Sequence, residues 1–125
     1  MILLLDAHAL IWWVDGNDSL AGPARRSIAD PSNDVLVSAA SIWELSIKQE
    51  LGKLRIDADL EAEIETAGFS GLPVTIADAV AAGALPRHHR DPFDRMLIAQ
   101  ANRLDAVIVT RDRAFASYDV KVLTA

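Results

Sequence analysis

Four acidic residues stand where short apolar runs give way to helical patterning. Asp6 directly follows Ile2–Leu5, and Glu44 comes a few residues beyond a run that ends near Val37. Asp94 opens the pattern Phe93–Leu104, and Asp112 follows a run that ends at Thr110. Carboxylates gathered at one point repel one another unless a cation lies among them. A donor set made only of oxygens suits Mg²⁺ or Mn²⁺ rather than zinc. Such a cation can activate water and offset developing negative charge, and no residue of the sequence stands out as a covalent nucleophile. Each acid also has a purely local use. Ser41-Ile42-Trp43-Glu44 has the spacing of a capping box. Asp91-Pro92 reads as a cap followed by proline, which leaves Asp94 in the first helical turn. Asp6 and Asp112 can each cap the helix that follows. Caps have no reason to meet in one pocket, so convergence is what separates the two readings.

The elements that position these acids follow from the apolar pattern. Ile2–Leu5, Asp34–Val37, Leu72–Ile76, Ala106–Thr110 and Lys121–Leu123 read as strands. Because their apolar residues run on rather than alternate, they are expected to be covered on both faces. Three sets repeat at helical steps: Leu60, Ile64 and Ala67; Ala77, Val80, Ala81, Ala84 and Leu85; and Phe93, Met96, Leu97, Ala101 and Leu104. Strands alternating with helices imply an α/β fold, a parallel sheet between helical layers with right-handed crossovers. Such folds bind ligands outside the carboxyl ends of the strands, and all four acids fall at or near that edge. The 125 residues suit one domain, spanning 1–125, and a hydrophobic content of 51% can fill its core. The absence of cysteine excludes disulfides and thiolate sites. A net charge of −6 argues against a module that grips nucleic acid by overall basicity, but not against an enzyme with a local basic rim. The opening stretch MILLLDAHALIWWV has no basic start and carries Asp6 among its apolar residues, unlike a secretory signal. Its run Ala9–Val14 is far too short to span a bilayer, so the expected location is the cytoplasm, with no membrane partner.

The stretches LLLDAHALIWW, SAASIWELSIK with GKL after it, LPVT, HHRDPFDRMLIAQA and VTRDRAFASYDVKVL together resemble, in order, the PIN-domain ribonuclease toxins of the VapC type. The likeness covers nearly the whole chain, and HRDPFDRMLIAQA followed by TRD is its most specific part. It implies a PIN-like three-layer sandwich with a central parallel sheet of about five strands flanked by helices. It further implies a Mg²⁺-dependent endoribonuclease, with Mn²⁺ as a substitute, that leaves 5′-phosphate and 3′-hydroxyl ends. A VapB-type antitoxin and a homodimer complete what it implies. On this resemblance Asp6, Glu44, Asp94 and Asp112 are both the catalytic residues and the metal ligands. The chain departs from the pattern at Ala7, where relatives often carry Thr or Ser to hold a water. Ser38 or Ser41 is left to supply that hydroxyl, with capping as the other use of Ser41.

Arg87, His88, His89 and Arg90 form the densest basic segment. They read either as a solvated loop or as a rim where Arg87 and Arg90 meet RNA phosphates. Two adjacent histidines face different ways and seldom share a metal. Arg111 and Arg113 flank Asp112 and either grip phosphate or balance the acids. Of Trp12 and Trp13, one is expected in the core and the other in an apolar groove. The surface of Leu10, Trp13 and Val14 would take a partner helix, while a basic antitoxin tail sets an arginine among the acids. Trp43, Phe93 and Met96 read as core. The competing readings are a haloacid-dehalogenase-like phosphatase, which wants an acid where His8 stands, and a non-catalytic PIN or receiver-like scaffold.

Overall fold

In the computed structural model, which describes residues 1–125, five strands form one parallel sheet. They are β1 (Ile2–Leu5), β2 (Asp34–Ser38), β3 (Ser70–Leu72), β4 (Val107–Thr110) and β5 (Lys121–Thr124), in the order β3-β2-β1-β4-β5. Leu5 at the end of the central strand lies level with Val37 and Val109. The next residues along these three strands, Asp6, Ser38 and Thr110, therefore emerge together at one edge.

The continuous leucines of β1 face two apolar layers in turn, and Leu3, Leu4 and Leu5 are all fully buried. Leu3 and Leu5 pack with Ala9 and Leu10 of α1 (Ala7–Val14), Ala24 and Ile28 of α2 (Gly22–Ala29) and Leu45 of α3 (Ala39–Glu50). Leu4 packs on the other side with Leu97, Ile98 and Ala101 of α6 (Pro92–Leu104), together with Phe115 and Tyr118. Each buried leucine, isoleucine or phenylalanine among them contributes about 1.5–3 kcal/mol by leaving water. The remaining helices are α4 (Leu60–Thr66) and α5 (Ile76–Ala84), and a 3₁₀ turn spans Arg113–Ser117. The fold is α/β, a five-stranded parallel sheet between helical layers, as expected. No helix is long and apolar enough to cross a membrane.

Several local expectations are corrected. The strand expected at Leu72–Ile76 lies earlier, at Ser70–Leu72. Pro73 has no N–H for the ladder, and Thr75 starts a helix instead: its hydroxyl accepts from Asp78 N at 3.0 Å while Asp78 accepts from Thr75 N at 3.1 Å. The cap of α3 is Ser38, which accepts from Ala40 N at 3.1 Å, so Ser41 does not open a capping box. Glu44 thus lies in the second turn, where no free N–H remains for it to cap. Helix α2, short and carrying Arg25 and Arg26, has no counterpart in the sequence reading. Trp43 is not core but 64% exposed, its ring set edge-to-face with Phe93 at 5.5 Å between centroids. Phe93 and Met96 are half-buried.

Candidate metal centre

Each acid reaches the sheet edge by a different local device. Asp6 ends β1 and caps α1, its Oδ1 accepting from Ala9 N at 2.8 Å, and it is only 6% exposed. Asp112 follows β4 and caps the 3₁₀ turn, accepting from Ala114 N at 2.9 Å. Its side chain stays open to solvent. At the start of α6 the capping is done by Asp91, which accepts from the N–H groups of Phe93 and Asp94 at 2.8 and 3.3 Å. The Asp94 carboxylate is thereby freed from capping. Glu44 comes in from α3, buried, with Lys48 one turn on at 2.7 Å. Asp6, Glu44, Asp94 and Asp112 line one cavity of about 110 Å³, together with Asp91, Lys48, Ala7 and His8. Two of the four are caps, and all four still converge.

Three residues that the sequence reading did not assign complete the centre. Lys48 brings an ammonium group into the acidic cavity, and its hydrogen bond to Glu44 raises its pKa. Thr110 accepts from Asp112 N at 3.1 Å, and its hydroxyl counters the rise that burial imposes on the Asp6 pKa. A strand hydroxyl thus acts on two of the acids, in a chain that has alanine at position 7. Ser38 is occupied as a cap, and Ser41 is buried in α3. His89 places Nε2 2.7 Å from Asp94 and 3.5 Å from Asp112. These three offer the most closely gathered set of ligand atoms, all within 4.8 Å of one another. The adjacent histidines do diverge: His88 lies against the Tyr118 ring at 5.3 Å. The periodicity of the loop gave no signal for His89, whose aim depends on contacts from distant residues.

Burial dominates the electrostatics of the acids, with their mutual repulsion added. Burial raises the pKa of Asp6, against the hydrogen bonds from Thr110 and Ala9. Burial also pushes Asp94 up to about 7, aided by the charge of Asp91 and opposed by the His89 hydrogen bond. Carboxylates in this state fit a divalent cation, which would favour their charged forms and add the attraction they lack. The donors are mainly oxygens, with His89 as the one nitrogen.

The other candidate residues are distributed unevenly. Arg87 and Arg90 are exposed and, with His89, Arg95 and Gly83, line an open polar depression of about 520 Å³ beside the acids. Arg113 is exposed as well. The Arg111 guanidinium lies 4.4 Å from the Trp12 ring centroid and donates to Ala125 O and Ser19 O. These bonds use Nε and one terminal nitrogen of a side chain that belongs to an exposed residue. Leu10 is fully buried and cannot face a partner. Trp13, set 5.6 Å from Phe69, and Val14 are half-buried, as is Trp12. His8 is exposed with its ring 5.9 Å from Trp12, so no second acid follows Asp6 as the phosphatase reading requires.

Comparison with known proteins agrees with this geometry. The PIN domain family matches residues 3–121. Comparison with curated proteins found no match. Among solved structures, VapBC2 from Rickettsia felis bound to a DNA fragment from its promoter is similar, with a TM-score of 0.72 at 14% identity and 98% of each chain covered. DNA-bound VapBC from Salmonella typhimurium gives a TM-score of 0.69 at 18% identity, covering 98% of this chain and 97% of that one. VapBC-5 from Mycobacterium tuberculosis gives 0.60 at 19% identity, with 99% and 98% covered. At these identities the likeness is one of fold.

Proposed function

The chain belongs to the PIN-domain family, and from that premise we propose that it is a divalent-metal-dependent endoribonuclease, the VapC-type toxin of a toxin–antitoxin pair. The observation that carries this reading is the convergence of four acids from four separate elements on one cavity at the carboxyl edge of the sheet. Asp6, Glu44, Asp94 and Asp112 would hold the cation, Mg²⁺ or Mn²⁺. Bound there, it supplies the Lewis acidity that activates water and offsets charge on the phosphodiester. The chain's own residues do the rest. The Ala9 N–H fixes one oxygen of Asp6, and Thr110 favours its charged form. Lys48 pairs with Glu44 and adds a positive centre next to a developing phosphate charge. Arg87 and Arg90 draw the RNA backbone toward the acids, and Arg113 is free to add to that rim. With water as the nucleophile, attack on phosphorus and departure of the 3′-oxygen leave 5′-phosphate and 3′-hydroxyl ends. The presence of every acid favours catalysis over a scaffold role.

The partner follows from the same charges. A VapB-type antitoxin with a basic tail would place a guanidinium among Asp6, Glu44 and Asp94 and keep the cation out. Its anchor would be an apolar helix on the half-buried surface of Trp13 and Val14. A homodimer in the cytoplasm is part of this reading. The test is to incubate purified protein with a mixed RNA pool and map the ends, with Mg²⁺ and with EDTA. Cleavage with 5′-phosphate ends that stops in EDTA is expected. Cleavage that persists in EDTA, or none with either Mg²⁺ or Mn²⁺, would refute it.

A further inference from the structure

His89 is held in place with more structure than a solvated loop needs. Its N–H donates to the Tyr118 hydroxyl at 2.9 Å, and that hydroxyl donates to Pro86 O at 2.6 Å. From below, Arg95 donates to the carbonyls of Ala82, Leu85 and Pro86 at 2.9–3.0 Å and to His89 O at 3.3 Å. The edge of the Phe115 ring fixes the imidazole plane, with centroids 6.2 Å apart. The result is a mostly buried ring, its side chain 18% exposed, whose Nε2 meets two acids of the centre. Donors about 2.0–2.2 Å from one metal ion lie about 3.0–3.5 Å apart, for octahedral and tetrahedral angles respectively. The observed separations of 2.7 and 3.5 Å bracket that range.

We propose that His89 is itself a ligand of the cation, forming with Asp94 and Asp112 a nitrogen–oxygen–oxygen face that selects first-row transition ions over Mg²⁺. The inference rests on the reading that this pocket holds a cation, and it concerns which one. An imidazole nitrogen adds little for Mg²⁺, which prefers oxygen, and much for Co²⁺ or Zn²⁺. Nε2 must then be free of its proton, which leaves the hydrogen on Nδ1.

The experiment is equilibrium binding of Mg²⁺ and of Co²⁺ at pH 8 to the unsubstituted chain, His89→Asn and Asp94→Asn. It is accompanied by pulsed electron paramagnetic resonance of the Mn²⁺-loaded unsubstituted protein. The expected result is that His89→Asn loses Co²⁺ affinity by about 10–100-fold while Mg²⁺ affinity changes far less. The resonance spectrum should show coupling to an imidazole ¹⁴N. Equal losses for both ions without that coupling would make His89 only a hydrogen-bond partner of Asp94 and overturn the proposal. Tighter Mg²⁺ binding by His89→Asn would make it a competitor for the carboxylate, with the same consequence. The spectrum of the unsubstituted protein decides the matter even where the variant fails to fold. Failure of the unsubstituted chain to bind either ion would instead defeat the metal reading on which the proposal rests.

Discussion

Asp94 reaches a pKa of about 7 chiefly through burial, with repulsion from Asp91 and Glu44 added and the His89 contact opposing. An unfolded aspartate titrates near about 3.9, so the native state binds this proton more tightly than the unfolded chain does. The resulting stabilisation is complete below the unfolded value and is lost as pH rises through about 7. The metal-free protein should therefore melt at lower temperature at pH 8 than at pH 5, and Asp94→Asn should flatten that slope. Mg²⁺ should raise the melting temperature most at the alkaline end, because it binds the carboxylate and not the acid. Thermal melts across this range in EDTA and in Mg²⁺ check both statements. The place of Asp94 at the head of α6 was legible because DPFD puts one acid as cap and the next in the first turn. The role of Lys48 was not, since a lysine four residues after a glutamate on a helix ordinarily marks a solvated pair.

Helices α5 and α6 are tied by a pair that lies away from the acidic cavity. Arg103 donates to both oxygens of Asp78 at 2.7 and 3.0 Å, and the Asp78 side chain is almost wholly buried. The Arg103 hydrogen bonds hold Asp78 down to about 2, against burial and with help from Thr75. Because this pKa is depressed, the stabilisation is present above the unfolded value near about 3.9 and is lost as pH falls toward about 2. Asp78→Asn should cost about 1.5–3 kcal/mol in urea denaturation at pH 7 while leaving cation affinity nearly unchanged. The type and place of α6 were legible from its long apolar stripe and its Asp-Pro start. The start of α3 was misplaced because Ser38 and Ser41 are both chemically fit to cap, and the register of β2 decides between them. Helix α2 is short and polar enough that only its packing of Ala24 and Ile28 onto the sheet makes it visible.

Across the whole molecule a net charge of −6 coexists with a basic depression beside an acidic cavity. On the proposed function, RNA would be repelled in general and accepted at that one rim. Replacing Arg87 and Arg90 with alanine should weaken RNA binding and reduce the slope of log affinity against log salt by up to about 1.4, at about 0.7 per phosphate on a single strand. Turnover at saturating RNA should change much less, and filter binding across a salt series checks the slope. The parallel sheet was legible because its strands are continuous apolar runs. The fate of Arg111 was hidden because its partners Trp12, Ser19 and Ala125 meet only once β4, β5 and α1 have assembled. The same assembly brings the four acids together, and on that convergence the account stands. Its most direct test is the single-turnover rate of RNA cleavage at saturating Mg²⁺ and RNA for Asp94→Asn, with folding verified by circular dichroism. Loss of a cation worth several kcal/mol to the transition state predicts a fall of about a thousandfold or more. A folded Asp94→Asn protein that cleaves at near the unsubstituted rate would contradict it.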